Sequence, residues 1–129
     1  MTKGDWLDLT VLARKKYNLL GETMDLSCQL GDAMDRNDDV SVRMLVAMRH
    51  EPILGLEELQ RAIASRLESL TEEERSRVAA LDGGAAPQGG DEALYANQAN
   101  SARRLLERVL ELDQRLNRRM AGDNSFYKK

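Results

Sequence analysis

"RHEPIL", residues 49–54, interrupts what otherwise reads as one long helix. Pro52 has no amide hydrogen, and its ring crowds the carbonyl four residues back, that of Met48. Either a helix ends here or it bends and continues. The apolar stripe decides the reading. From Val46 it runs through Arg49, Ile53, Leu56, Gln60, Ile63 and Leu67, in steps of 3, 4, 3, 4, 3 and 4. That register crosses Pro52 without losing phase, and Arg49, His50 and Glu51 are poor N-caps. The spacing predicts one bent, continuous helix over residues 40–70. Two helices meeting at Pro52 are the alternative, because a residue before proline avoids helical angles.

Outward from this segment the chain keeps the same period. Leu9, Ala13, Leu20, Met24, Ser27, Leu30 and Met34 fall on one stripe of a first helix over residues 5–34, with Asp5 as its cap. Leu12, Leu19 and Leu26 flank that stripe at heptad spacing. "DRNDD", residues 35–39, is a turn, with Asp38 or Asp39 capping the next helix. Thr71 and Glu74 form a capping-box pattern that opens a short helical piece ending near Leu81. "DGGAAPQGGD", residues 82–91, has the composition of a flexible linker. A third long helix follows over residues 92–120, with Asp91 as cap and Gly122 as stop; residues 122–129 read as a loose tail.

No segment alternates as a strand does. The expected fold is therefore all-α: an elongated antiparallel bundle of three long helices in a single domain. Its second helix bends at Pro52, and a short helical piece and a Gly-rich linker precede the third. Helices of about 30 residues extend about 45 Å and depend on one another's apolar faces.

Composition narrows the function. The chain has 129 residues, 42% hydrophobic, 32% charged and only 4% aromatic, so its core must be aliphatic. Six methionines make its apolar surfaces adaptable. A net charge of −3 argues against a surface built for nucleic acid. The arginines of the third helix alternate with Glu107, Glu111 and Asp113, as on a solvated face. With one cysteine no internal disulfide forms, and no run reaches membrane-spanning length, so the expected location is the cytoplasm. Cys28 lies near the first stripe and is expected to be a buried structural thiol; His50 reads as a surface residue. No ligand cluster for a metal, no phosphate loop and no nucleophile motif appears, so neither an enzyme nor a cofactor is expected. The stripes remain, and an adaptable Leu and Met surface suits the binding of another amphipathic helix.

"NQANSARRLLERVLELDQRL", residues 97–116, resembles the last helix of the FlgN family of flagellar export chaperones. Spaced Asn residues, a Leu-Leu pair and a leucine-periodic helix fall here at Asn97, Asn100, Leu105, Leu106, Val109 and Leu112. Arg49 and Ile53 on the second helix match the family's layout as well; Pro52 and the Gly-rich linker depart from it. The resemblance implies a cytoplasmic chaperone without enzymatic activity. Its clients would be hook-filament junction proteins, whose C-terminal amphipathic helices it would cover until the export apparatus takes them. The expected contact surface is the third helix: Leu94, Asn97, Asn100, Ala102, Leu105, Leu106, Val109, Leu112 and Leu116. Entered through a flexible linker, its first half is expected to swing to admit a client helix. The competing expectation is a homo-oligomeric coiled-coil adaptor or regulator with no export client, a homodimer among its forms, whose stripes mate with a second copy.

Overall fold

The computed structural model describes residues 1–123. Among these the regular structure is all helical, in five helices: α1 (Lys3–Asp35), α2 (Asp39–Met48), α3 (His50–Glu68), α4 (Glu72–Asp82) and α5 (Gly90–Asp123).

The cap of α1 is Thr2, not Asp5. Thr2 is extended, and its hydroxyl accepts the Asp5 amide at 3.1 Å. The Asp5 carboxylate in turn accepts the Thr2 amide at 2.9 Å, so Asp5 is the return arm of a capping box. The buried face of α1 contains Leu9, Ala13, Leu20, Ser27, Leu30 and Met34 of the expected stripe. It also takes in Trp6, Thr23 and Ala33, while Met24 is half-buried. Thr23 is admitted because its hydroxyl donates to the Leu19 carbonyl one turn back, at 2.9 Å. Cys28 is exposed rather than buried. It follows buried Ser27 by one residue, and about 100° of helix rotation carries it out to solvent.

In the turn after α1, Asn37 takes φ 55°, a left-handed angle that Asn tolerates. Asp38 is the cap that follows, accepting the Ser41 amide at 3.1 Å.

At "RHEPIL" the expected continuous helix is corrected. The chain divides into α2 and α3 at Arg49, three residues before Pro52. Pro52 thereby falls in the first turn of α3, where a missing amide hydrogen costs nothing. Main-chain bonds still span the junction: Arg49 donates to Leu45 at 3.1 Å, and Ile53 donates to Arg49 at 3.3 Å. The angles of Arg49, φ −66° and ψ −18°, stay right-handed, which is why the stripe keeps its phase. Val42 and Leu45 are buried; Val46, Arg49, Ile53, Leu56, Ile63 and Leu67 are half-buried; Gln60 is exposed. The stripe missed Pro52 and Leu59, both buried.

Three apolar clusters set the directions of the helices. Trp6, Leu9 and Ala13 of α1 join Leu70, Val78, Leu81, Tyr95 and Ala96. Leu20 joins Ala102 and Val109. Leu30, Ala33 and Met34 join Val42, Leu45, Leu116 and Met120. Thus α5 runs alongside α1 in the same direction, and α2 and α3 return against it. The central element is α1, which packs on α2, α3 and α5; α3 and α5 meet only sparsely. At Gly55 α3 comes close to α1, where a β-carbon would stand 3.3 Å from the Leu19 side chain.

Helix α4 closes one end of the molecule, with Val78 and Leu81 buried beneath it. Thr71 and Glu74 form the expected capping box, with bonds of 3.2 and 2.9 Å. The carboxylate of Glu74 also meets the Met1 ammonium at 2.8 Å. That hydrogen bond, then the Thr71 amide, holds the Glu74 carboxyl down at about 2. A carboxyl whose pKa is depressed by folding contributes stability above its unfolded value and loses it as the pH falls. The urea midpoint is therefore expected to drop as the pH is lowered from about 4.5 to about 2. Glu74→Gln should flatten that part of the profile; an unchanged profile in the variant would refute the assignment.

The connection from α4 to α5 is shorter than the expected linker. Asp82 still belongs to α4, and Gly90 and Asp91 already belong to α5, so Asp91 is not its cap. Gly84 (φ 100°) and Gly89 (φ 118°) make turns that only glycine takes without strain. Arg77 pins the segment by donating to the Glu92 carboxylate at 2.6 Å and to the Ala86 carbonyl at 2.9 Å. Gly122 does not end α5, which continues through Asp123. The rest of the expected tail, residues 124–129, lies outside the described residues.

Candidate functional site: an apolar groove between two helices

Because α3 and α5 both lean on α1 and barely meet, a groove opens between them. Its floor is Leu9, Ala13 and Lys16 of α1, spaced 4 and 3 apart on the inward face. One wall is Gln60, Ile63 and Leu67 of α3; the other is Ala99, Ala102, Arg103 and Leu106 of α5. Both walls follow helical spacing, and the two alanines give the groove its depth. The cavity measures about 300 Å³. That space takes roughly two or three aliphatic side chains and not a whole helix.

Asp82 and Tyr95 form the polar end of the groove. The Tyr95 hydroxyl donates to the Asp82 carboxylate at 2.7 Å. Burial, and then the neighbouring Asp82, push the Tyr95 hydroxyl well above its ordinary value. Burial likewise raises the Asp82 carboxyl. On its far side Tyr95 stacks obliquely on Trp6, with ring centres 5.6 Å apart. Arg103 donates to the Asp82 carbonyl at 3.0 Å, which steadies the last turn of α4.

The residues expected to form one contact surface on α5 are not gathered on one open face. Ala102 and Leu106 line the groove. Ala102, Val109 and Leu116 are core residues, each under 5% exposed. Leu105 and Leu112 are half-buried against the same clusters. Asn100 is half-buried with its side-chain oxygen unpaired. Leu94, 64% exposed, and Asn97 lie outside the groove. The entry of α5, expected to swing, is held by Tyr95, Ala96 and Glu92.

Sequence reasoning placed Gln60, Ile63, Leu67, Leu9 and Ala13 on stripes but not at a site. It passed over Lys16, which completes the 9, 13, 16, 20 face and carries a charge into it. A cation on an otherwise apolar face was the available signal.

The two remaining candidates for chemistry, Cys28 and His50, are both exposed and stand apart from the groove. Among the described residues no cluster of three His, Cys, Asp or Glu side chains is placed to hold a metal. No helix among them is long and apolar enough to cross a membrane. No protein-family model, curated protein or solved structure matches the chain.

Proposed function

We propose that this protein is a helix-binding export chaperone. It would take the C-terminal amphipathic helix of a flagellar hook-filament junction protein and keep it from assembling before secretion. The observation that carries this reading is the open groove between α3 and α5. An amphipathic helix laid along it inserts side chains at i, i+3 or i+4, and i+7. The resemblance of residues 97–116 to FlgN-like chaperones supplies the client class. With α2 and α3 taken as one bent rod, the chain has three long rods of alternating direction, and the client helix stands as the fourth. Burial at about 25 cal/mol per Å² drives the contact, and ordering of the client segment offsets much of it. The resulting moderate affinity suits cargo that must be released to the export apparatus in the cytoplasm.

The test is co-expression with the junction proteins of the source organism, each intact and without its C-terminal helix. Capture that depends on this helix supports the reading; no capture by a folded chain defeats it.

A second reading has its own observation. Val40, Met44 and Met48 recur every fourth residue on α2 and are 74%, 54% and 48% exposed. Such a stripe suits a second copy, and the chain would then be a self-associating adaptor or regulator. Light scattering separates the two: a stable dimer that captures no client favours the adaptor.

A further inference from the structure

The floor of the groove carries a charge that the apolar fit does not use. Lys16 lies on the inward face of α1, one turn after Ala13 and one turn before fully buried Leu20. Its side chain is half-buried, and among the described residues its ammonium makes no hydrogen bond or ion pair. Among the described residues the charge that acts with it is Asp82, whose carboxylate accepts the Tyr95 hydroxyl. Arg103 adds a second cation to the lining and spends one donor on the Asp82 carbonyl. The groove thus holds two cations against one carboxylate.

A helix that fills the groove with aliphatic side chains alone would cover Lys16 and leave a desolvated ammonium unpaired, which is costly. A carboxylate carried on the same face removes that cost and adds a charge-assisted hydrogen bond. We infer that Lys16 is the specificity residue of the groove, selecting an amphipathic helix that bears one Glu or Asp within its apolar stripe. This rests on the helix-binding reading and deepens it: the occupant is an acidic-centred helix rather than any hydrophobic one. A basic residue at the same position meets both Lys16 and Arg103 and is rejected.

The test uses synthetic helical peptides of about 18 residues, with Leu spaced three and four apart on one face. The central position of that face is Glu, Gln or Lys. Binding is followed by the anisotropy of a label on the peptide and by the fluorescence of Trp6, the chain's single tryptophan, through its contact with Tyr95. The Glu peptide is expected to bind about tenfold more tightly than the Gln peptide at low salt, and the Lys peptide most weakly. Lys16→Met keeps the apolar stem and should bring Glu and Gln within about twofold of each other while leaving the Gln affinity intact. Lys16→Glu should invert the order of the Glu and Lys peptides. Circular dichroism confirms that each variant is folded, and Lys16→Gln replaces Lys16→Met should the latter fail to fold.

Equal binding of Glu and Gln peptides by the unaltered protein overturns the inference and leaves the groove standing. A preference that survives in Lys16→Met also overturns it. No binding of any peptide by the folded protein removes the helix-binding reading, and this inference with it.

Discussion

Leu20→Ala is expected to lower the free energy of unfolding by about 3–5 kcal/mol. Leu20 is 1% exposed and holds the middle of the long α1 face. It joins buried Ala102 and Val109 of α5, with half-buried Met24, Leu56, Leu105 and Leu106 packed around them. The helices around Leu20 are fixed at both ends by the other two clusters, which limits how far its neighbours can close on the vacated space. The substitution therefore costs the transfer of the lost methyl groups and leaves a cavity as well. Urea unfolding followed by circular dichroism measures the loss. Leu110→Ala serves as control, since Leu110 is 51% exposed and should change stability by less than about 0.5 kcal/mol. A Leu20→Ala loss below about 1.5 kcal/mol would mean that the middle layer relaxes freely, against the packing described.

The second large effect lies at the ion pair of Arg49 and Asp113. It ties the junction of α2 and α3 to α5, with the two side chains only 11% and 27% exposed. Arg49 is the more deeply placed, and its Nε already lacks an acceptor. Removing the carboxylate strands a guanidinium that water barely reaches; removing the guanidinium strands a carboxylate that water partly reaches. Asp113→Ala is thus expected to cost about 2–3 kcal/mol, and Arg49→Met less, with partial exposure keeping both below the range for fully buried pairs. The double variant Arg49→Met/Asp113→Leu should return to within about 1 kcal/mol of the parent, since two apolar groups carry no desolvation debt. Chemical unfolding of the four proteins forms a double-mutant cycle. A double variant as unstable as Asp113→Ala would show that the loss comes from packing and not from stranded charge.

Period was what the sequence displayed most clearly. The steps from Val46 to Leu67 and from Leu9 to Met34 located the helices and most of their inward faces, because a 3.6-residue repeat is a property of a single segment. Boundaries were harder. Thr2 and Asp5 form one reciprocal motif, and the eye takes the acid for the cap. At Pro52 continuity of register suggests continuity of helix, whereas the chain at Arg49 keeps right-handed angles, and so the register, while the helix divides. Cys28 was misplaced because one residue of drift along a long helix separates the face from the flank. The groove was legible only in pieces. Ile63, Leu67, Ala99 and Ala102 lie on the expected helices, but the gap between α3 and α5 depends on both of them preferring α1. That preference is a matter of which faces meet, and no single helix's pattern contains it.

The central position of α1 also sets the order in which the molecule can be built. Trp6 stacks on Tyr95, and Leu30 shares a cluster with Leu116, so partners lie more than eighty positions apart in the chain. During synthesis α1 emerges before the other described helices and can pair early with α2 and α3, which follow it closely. Its third flank, from Trp6 to Met34, stays wet until α5 leaves the ribosome. Closing so long a loop delays the last docking step, and the nascent chain meanwhile displays a bare aliphatic strip. The same strip that a finished molecule covers with α5 is, for that interval, a surface any passing amphipathic segment can occupy.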